Sequence, residues 1–301
     1  MFAPAGNGVE MQIAYHIGVN ATDEELLLRA LMRSSGRLAA AGVALPGPGR
    51  YRKLLRQTIE TLADSAPPDG VRDILVDAIT EMGDARRMVL SNPNFFCNPN
   101  GVFAGGSFYG TAGARMRALR RLFPGDELSV FMALRNPATF IPAVWGLARQ
   151  ETLAQYLGPV DPRALRWPEL VARMRAAAPD IAITLWCNED TPLIWHEILA
   201  RLAGPGVPGP LEGAHDLLAT IMAPEGLRRL AAYLESHPPA SESQHRRIIS
   251  AFLDKYVIRE RIEEEFDIPG WDEGLIADLT ATYEADVETL AATEGVVFLR
   301  P

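Results

Sequence analysis

Short apolar runs alternate along this chain with longer segments whose apolar positions recur at helical spacing. Residues 11–17, 88–91, 128–134 and 181–187 are near-continuous apolar stretches, each closed by a glycine or a polar residue. Runs of that length without polar alternation suit strands covered on both faces, as in a parallel sheet. Between them, 26–40, 51–63, 71–82, 112–123, 140–156, 167–178 and 192–202 read as helices. In the first of these, Leu26, Leu27, Leu28, Ala30, Leu31, Leu38 and Ala39 place apolar residues at helical spacing. Strands alternating with helices predict an α/β architecture with a parallel central sheet flanked by helices. The Gly/Pro-rich segment 204–210 breaks the pattern, and the remainder reads as helices over 223–236, 241–266 and 273–293. The tail 295–299 is expected to add a short strand or to pack on the sheet, and 1–10 to be a loose terminus. The chain is thus read as one domain over 1–301, with an α/β core over 11–205 and a helical C-terminal extension over 206–301.

The turn after the first strand concentrates the candidate chemistry, because backbone N–H groups and a helix dipole converge at such turns. Thr22-Asp23-Glu24-Glu25 has the spacing of a capping box, with Thr22 accepting from the Glu25 N–H and Glu25 reaching back. Asp23 and Glu24 place further negative charge in the first helical turn. A long irregular stretch, 92–110, carries Phe95, Phe96, Phe103, Phe108 and Tyr109 at the carboxyl end of the second strand, where open α/β sheets bind ligands. Arg50, Arg52, Lys53 and Arg56 form a basic cluster that reads as a solvated helix face.

Three strand ends, in order, resemble the sulfotransferase family. His16-Ile17-Gly18 and Thr22 match the bacterial 5′-phosphosulfate loop, His-Ile-Gly-x-x-Lys-Thr-Gly followed by two Ser/Thr positions. Ala21 stands at the lysine, Asp23 at the second glycine, and Glu24 and Glu25 at the hydroxyl positions. Arg135-Asn136-Pro137 resembles the 3′-phosphate segment, with Ala143 where the family has a serine. Asn188-Glu189-Asp190 matches a third strand end, and the phrase 40–47 fits the segment after the first helix. The family's glutamate after the second strand is replaced by Ser91-Asn92-Pro93, which offers no carboxylate base. Over residues 11–205 the resemblance implies a P-loop, sulfotransferase-like fold and sulfuryl transfer from 3′-phosphoadenosine 5′-phosphosulfate (PAPS) to a hydroxyl or amine on a small-molecule or glycan acceptor. It implies that Gly18, Asn20 and Thr22 line the 5′ side, that Arg135 and Asn136 meet the 3′-phosphate, and that His16 or Glu189 is the base. Other roles stay open: Arg135 tying the strand end to a carboxylate, Glu189 and Asp190 capping the next helix, and His16 as a core polar group.

Composition changes this picture little. The chain has 301 residues, 48% hydrophobic and 22% charged, with net charge −9. Of its 29 basic residues only Lys53 and Lys255 are lysines, and no basic stripe interleaved with aromatics points to nucleic acid. Cys97 and Cys187 make no metal or redox spacing, and His196, His215, His237 and His245 show no ligand or triad spacing, so no metal is expected. A cytoplasmic protein without a membrane segment, with homo-oligomer contacts open to the C-terminal helices, is the expectation. Three functions compete: a PAPS-dependent sulfotransferase, an inactive sulfotransferase-like binding or interaction protein, and a transferase using a less anionic donor. Arg115, Arg117 and Arg120 lining the first loop would favour the enzyme. Arg135 paired to a carboxylate, with a helix end shut by Glu25, would favour the binding protein.

Overall fold

The computed structural model describes residues 11–63, 65–264 and 266–301, so the expectation for 1–10 lies outside the described residues. Six parallel strands form one sheet in the order β2-β3-β1-β4-β5-β6: β1 Gln12–His16, β2 Val43–Ala44, β3 Arg87–Ser91, β4 Glu127–Leu134, β5 Ala182–Cys187 and β6 Val296–Leu299. β1 lies at the centre, paired with β3 on one side and β4 on the other. Connections leave it in opposite directions, which opens a crevice at the carboxyl ends of the strands.

Both faces of the sheet are covered, which is why its strands are apolar throughout rather than alternating. Ile13, Tyr15, Val130, Met132, Ile183 and Leu185 face one core. That core is closed by α3 (Pro48–Leu62), α4 (Val71–Ile79), α5 (Ala112–Leu122), α6 (Pro137–Gly146), α8 (Trp167–Ala177) and α13 (Glu273–Ala291). Ala14, Phe131, Ala133 and Trp186 face the other, closed by α1 (Leu26–Arg33), α2 (Ser35–Ala40) and α9 (Thr191–Ala203). The buried Asp286 on α13 accepts from Arg166 Nε at 2.7 Å and the Trp167 N–H at 2.9 Å, tying α13 to the start of α8.

Several expected elements differ. The helix over 26–40 is two helices, because Ser34 leaves the helical path and its buried hydroxyl accepts the Glu212 N–H at 2.8 Å. The stretch 140–156 divides into α6 and α7 (Leu153–Leu157), the latter begun by a Thr152/Gln155 capping box. The short edge strand β2 and the helix α10 (Asp216–Ile221) were not foreseen, and α12 ends at Tyr256 rather than 266. The tail 295–299 does add a strand: β6 extends the sheet beside β5, so the extension over 206–301 is helical only up to that point.

The irregular stretch 92–110 is core rather than a ligand-facing loop. Its five aromatic side chains are each at most 9% exposed. Phe108 sets its ring edge to face with Trp167 at 5.0 Å and near Phe140 at 6.0 Å. Those rings come from α8 and α6, and burying them removes more apolar area than any exposed use would leave.

Helices α10, α11 (Pro224–Ser236) and α12 (Glu242–Tyr256) form a small layer of their own around Leu218, Met222, Leu230 and Ile249. The segment before α10 attaches this layer to the sheet body. The Trp195 indole donates to the Gly213 carbonyl at 2.9 Å. A β-carbon on Gly213 would come within 2.6 Å of the Ala30 backbone. Gly213→Ala is therefore expected to displace α1 from this segment and to cost about 1–3 kcal/mol, the usual range for overpacking. Urea unfolding of the variant measures this, and an unchanged midpoint would show that the contact can relax.

Candidate functional site

A cleft of about 830 Å³ opens at the carboxyl ends of β1, β4 and β5, roofed by α10, α12 and the segment around Arg261 to Glu264. Thr22, Arg135, Asn136 and Glu189, from all three resemblance motifs, line it together. His16, Gly18 and Asn20 do not line it.

The turn after β1 is held by its own side chains. The Thr22 hydroxyl donates to the Val19 carbonyl at 2.7 Å. Asp23 Oδ2 accepts the Leu27 N–H at 3.2 Å, and the Leu26 N–H donates to the Asp23 carbonyl at 2.7 Å. The Thr22/Glu25 capping box does not form. Glu25 has left-handed backbone (φ 68°), and its carboxylate is turned away to receive both Arg52 nitrogens at 2.6 and 2.7 Å. The helix end is therefore served by Asp23, not shut by Glu25. Ala21 and Glu24 are also left-handed, at φ 57° and 46°.

Asn20 belongs to the packing of the turn. Its amide Nδ2 donates to Asn94 Oδ1 at 2.7 Å, its Oδ1 accepts from the Tyr109 hydroxyl at 2.6 Å, and its backbone N–H donates to that hydroxyl. One of the amides implied for a phosphate is thus already bonded.

Arg135 is 6% exposed and all three of its nitrogens have protein partners. Nη1 donates to the Ala21 carbonyl, Nε to Thr139 Oγ1 at 3.2 Å, and Nη2 to the Glu264 carboxylate at 2.6 Å. A buried guanidinium requires such partners, because leaving it unpaired costs several kcal/mol.

Asn136 caps α6 through Oδ1, which accepts the Ala138 N–H at 3.0 Å, while its Nδ2 donates to Thr280 at 3.0 Å. Glu189 Oε1 accepts the Asn136 N–H at 2.8 Å and Oε2 the Tyr283 hydroxyl at 2.9 Å. Both of its oxygens are therefore engaged, and it does not cap its own helix. Burial, with the Glu189 charge adding to it, holds the Tyr283 hydroxyl far above the ordinary tyrosine range, so it stays a donor. Burial raises the neighbouring Cys187 thiol to about 12, and the Cys97 thiol likewise, which leaves both unreactive.

His16 is fully buried behind the cleft, with Nδ1 at 2.9 Å from the Ser91 hydroxyl and its ring stacked near Trp186. It cannot touch an acceptor in the cleft from that position. Burial lowers its pKa from the ordinary 6.5, opposed by the Asp23 and Glu25 charges.

Five carboxylates line the cleft (Asp23, Glu24, Glu189, Asp254, Glu264) against three guanidiniums (Arg29, Arg135, Arg261). Arg29 and Arg261 each donate to a backbone carbonyl, of Glu24 and Thr220. Arg115, Arg117 and Arg120 are not among the lining residues. Arg115 faces Glu60 and Arg120 faces Asp180. The basic cluster around Tyr51 is divided rather than uniformly solvated: Arg50 pairs with Glu81, whereas Arg52, Lys53, Arg56 and Arg115 share a separate hollow of about 280 Å³.

A second group of side chains was invisible to linear spacing. His196 on α9 meets Glu242 and His245 on α12, their donor atoms all within 4.8 Å of one another. Glu242-Ser243-Gln244-His245 is an i, i+3 pair on one helical face, and that was the available signal. No protein-family model, curated protein or solved structure matches this chain. Among the described residues no helix is long and apolar enough to cross a membrane.

Two outcomes follow from this geometry. Replacing exposed Glu24 by glycine relieves a left-handed non-glycine residue and should stabilise the fold by about 0.5–1 kcal/mol in urea titrations. A loss would mean that the Glu24 side chain holds the turn. For His16, a folded pKa below the unfolded 6.5 means that the unfolded state binds more protons in acid. Its contribution is present above pH 6.5 and lost as pH falls below it. Wild type should lose up to about 1.4 kcal/mol per pH unit more than His16→Asn on acidification. Parallel pH profiles would place His16 in contact with solvent.

Proposed function

We propose that the chain is a sulfotransferase-like α/β protein whose strand-end cleft binds a neutral or cationic small ligand without transferring a sulfuryl group. The convergence of Thr22, Arg135, Asn136 and Glu189 on one cleft supports the sulfotransferase-like part of this reading. The observation that carries the rest is the state of Arg135. The guanidinium that the resemblance assigns to a 3′-phosphate is already bonded to Glu264, Thr139 and the Ala21 carbonyl. No lysine lines the cleft, and its carboxylates outnumber its guanidiniums, so a polyanionic nucleotide would meet net repulsion where transfer chemistry needs its largest stabilisation. Glu189 and His16, the two candidate bases, are respectively hydrogen-bonded at both oxygens and buried away from the cleft. A ligand bearing an ammonium or hydroxyl donors would suit the carboxylate-rich wall better.

Calorimetric titration with 3′-phosphoadenosine 5′-phosphate tests this. Wild type should give no heat of binding up to about 1 mM nucleotide, an affinity ceiling near 4 kcal/mol. Glu264→Ala, which frees Arg135, should gain at least about tenfold in affinity, the equivalent of 1.4 kcal/mol. Micromolar binding by wild type that disappears in Arg135→Ala would overturn the proposal and restore sulfuryl transfer.

A further inference from the structure

The roof of the cleft meets the sheet body across a seam in which ion pairs and imidazoles lie beside the apolar Leu193. Helix α9, packed on the sheet, faces α12, which belongs to the small helical layer. Across that seam Glu197 receives Arg246 at 2.7 Å, and within α9 it also pairs with Arg201 at 3.0 Å. One turn away, His196 Nε2 is hydrogen-bonded to the Glu242 carboxylate, and the His196 and His245 rings approach at 4.0 Å, nearly perpendicular. His245 keeps a buried Nδ1 that has no hydrogen-bond partner.

We propose that His196, Glu242 and His245 form a binding site for a divalent transition-metal ion, Zn²⁺ by its chemistry, which pins α12 to α9. Their donor atoms lie within 4.8 Å of one another. Ligands around a tetrahedral zinc at about 2.1 Å stand about 3.4 Å apart, so a small change of rotamer closes the site. Two imidazoles and one carboxylate are a donor set that zinc accepts, with the fourth position taken by water. The arrangement is pre-organised by backbone: Glu242 and His245 lie three residues apart on α12, and His196 is held on α9 between Trp195, buried in the sheet core, and Glu197. The ion would take the place of the hydrogen bond between His196 Nε2 and the Glu242 carboxylate. The site is independent of the ligand proposed for the cleft, although it braces the helix that supplies Ser250, Leu253 and Asp254 to the cleft wall.

The test is titration of the full-length, chelator-dialysed protein with Zn²⁺ alone, followed by calorimetry, with Co²⁺ as a visible-absorption probe of coordination. One equivalent should bind with micromolar or tighter affinity, and Co²⁺ should show the strong d–d bands of four-coordinate geometry. His196→Ala and His245→Ala should each weaken binding by about 100-fold and Glu242→Gln by about tenfold. His237→Ala, at an exposed imidazole stacked on Tyr233, should leave it unchanged. Should a variant fail to fold, modification of the wild type with diethylpyrocarbonate decides instead: Zn²⁺ should protect His196 and His245 but not His237. Wild-type binding weaker than about 100 µM, equal binding by the His196→Ala/His245→Ala double variant, or protection no greater than at His237 would each overturn the proposal.

Discussion

A buried cation must be neutralised where it stands, and Arg135 organises the centre of this molecule by that requirement. It sits at the end of β4, nearly excluded from water. Its three nitrogens draw in the carbonyl of Ala21 from the turn after β1, the hydroxyl of Thr139 on α6 and the carboxylate of Glu264 from the C-terminal part. Three regions of sequence are thereby fastened to one strand end. The same bonds set the chemistry of the cleft. A guanidinium satisfied by protein offers an incoming anion only an exchange of partners, in which the Glu264 carboxylate must first be displaced.

The turn after β1 shows the same economy. In a phosphate-binding turn the backbone N–H groups are left free and glycines let the chain curl around the anion. Here Asp23 takes the N–H of Leu27, Tyr109 takes that of Asn20, and Glu25 is drawn off to Arg52. Ala21, Glu24 and Glu25 adopt left-handed backbone without being glycine. The curve of the loop is kept while the N–H groups of Asn20 and Leu27 are taken up by protein side chains.

The cleft and the sheet body beside it are held by contacts of different kinds. α13 is fixed by a buried carboxylate, Asp286, and by Tyr283 against Glu189. The segment before α10 is fixed by a steric fit that only glycine permits at residue 213. α12 is joined across a seam of arginines, glutamates and histidines. Polar seams of this kind are open to adjustment by ions and ligands in a way that the two apolar cores are not.

The sequence by itself determined the sheet. The runs at β1, β3, β4 and β5 are apolar at successive positions because both faces of each strand are buried, and that pattern is local enough to read directly. The pattern also located the strand ends; the resemblance grouped Thr22, Arg135, Asn136 and Glu189 there with His16, Gly18 and Asn20, and the first four line one cleft whereas the last three do not. Only the tertiary structure decided what those residues are doing. Glu264 stands 129 positions from Arg135, Arg52 stands 27 from Glu25, and Tyr283 stands 94 from Glu189. No local pattern encodes such pairings. The five aromatics of 92–110 looked like a binding surface for the same reason, since their partners on α6 and α8 are distant in sequence. Periodicity reports what a residue does to its own helix or strand, whereas charge pairing and burial depend on which elements the fold brings together.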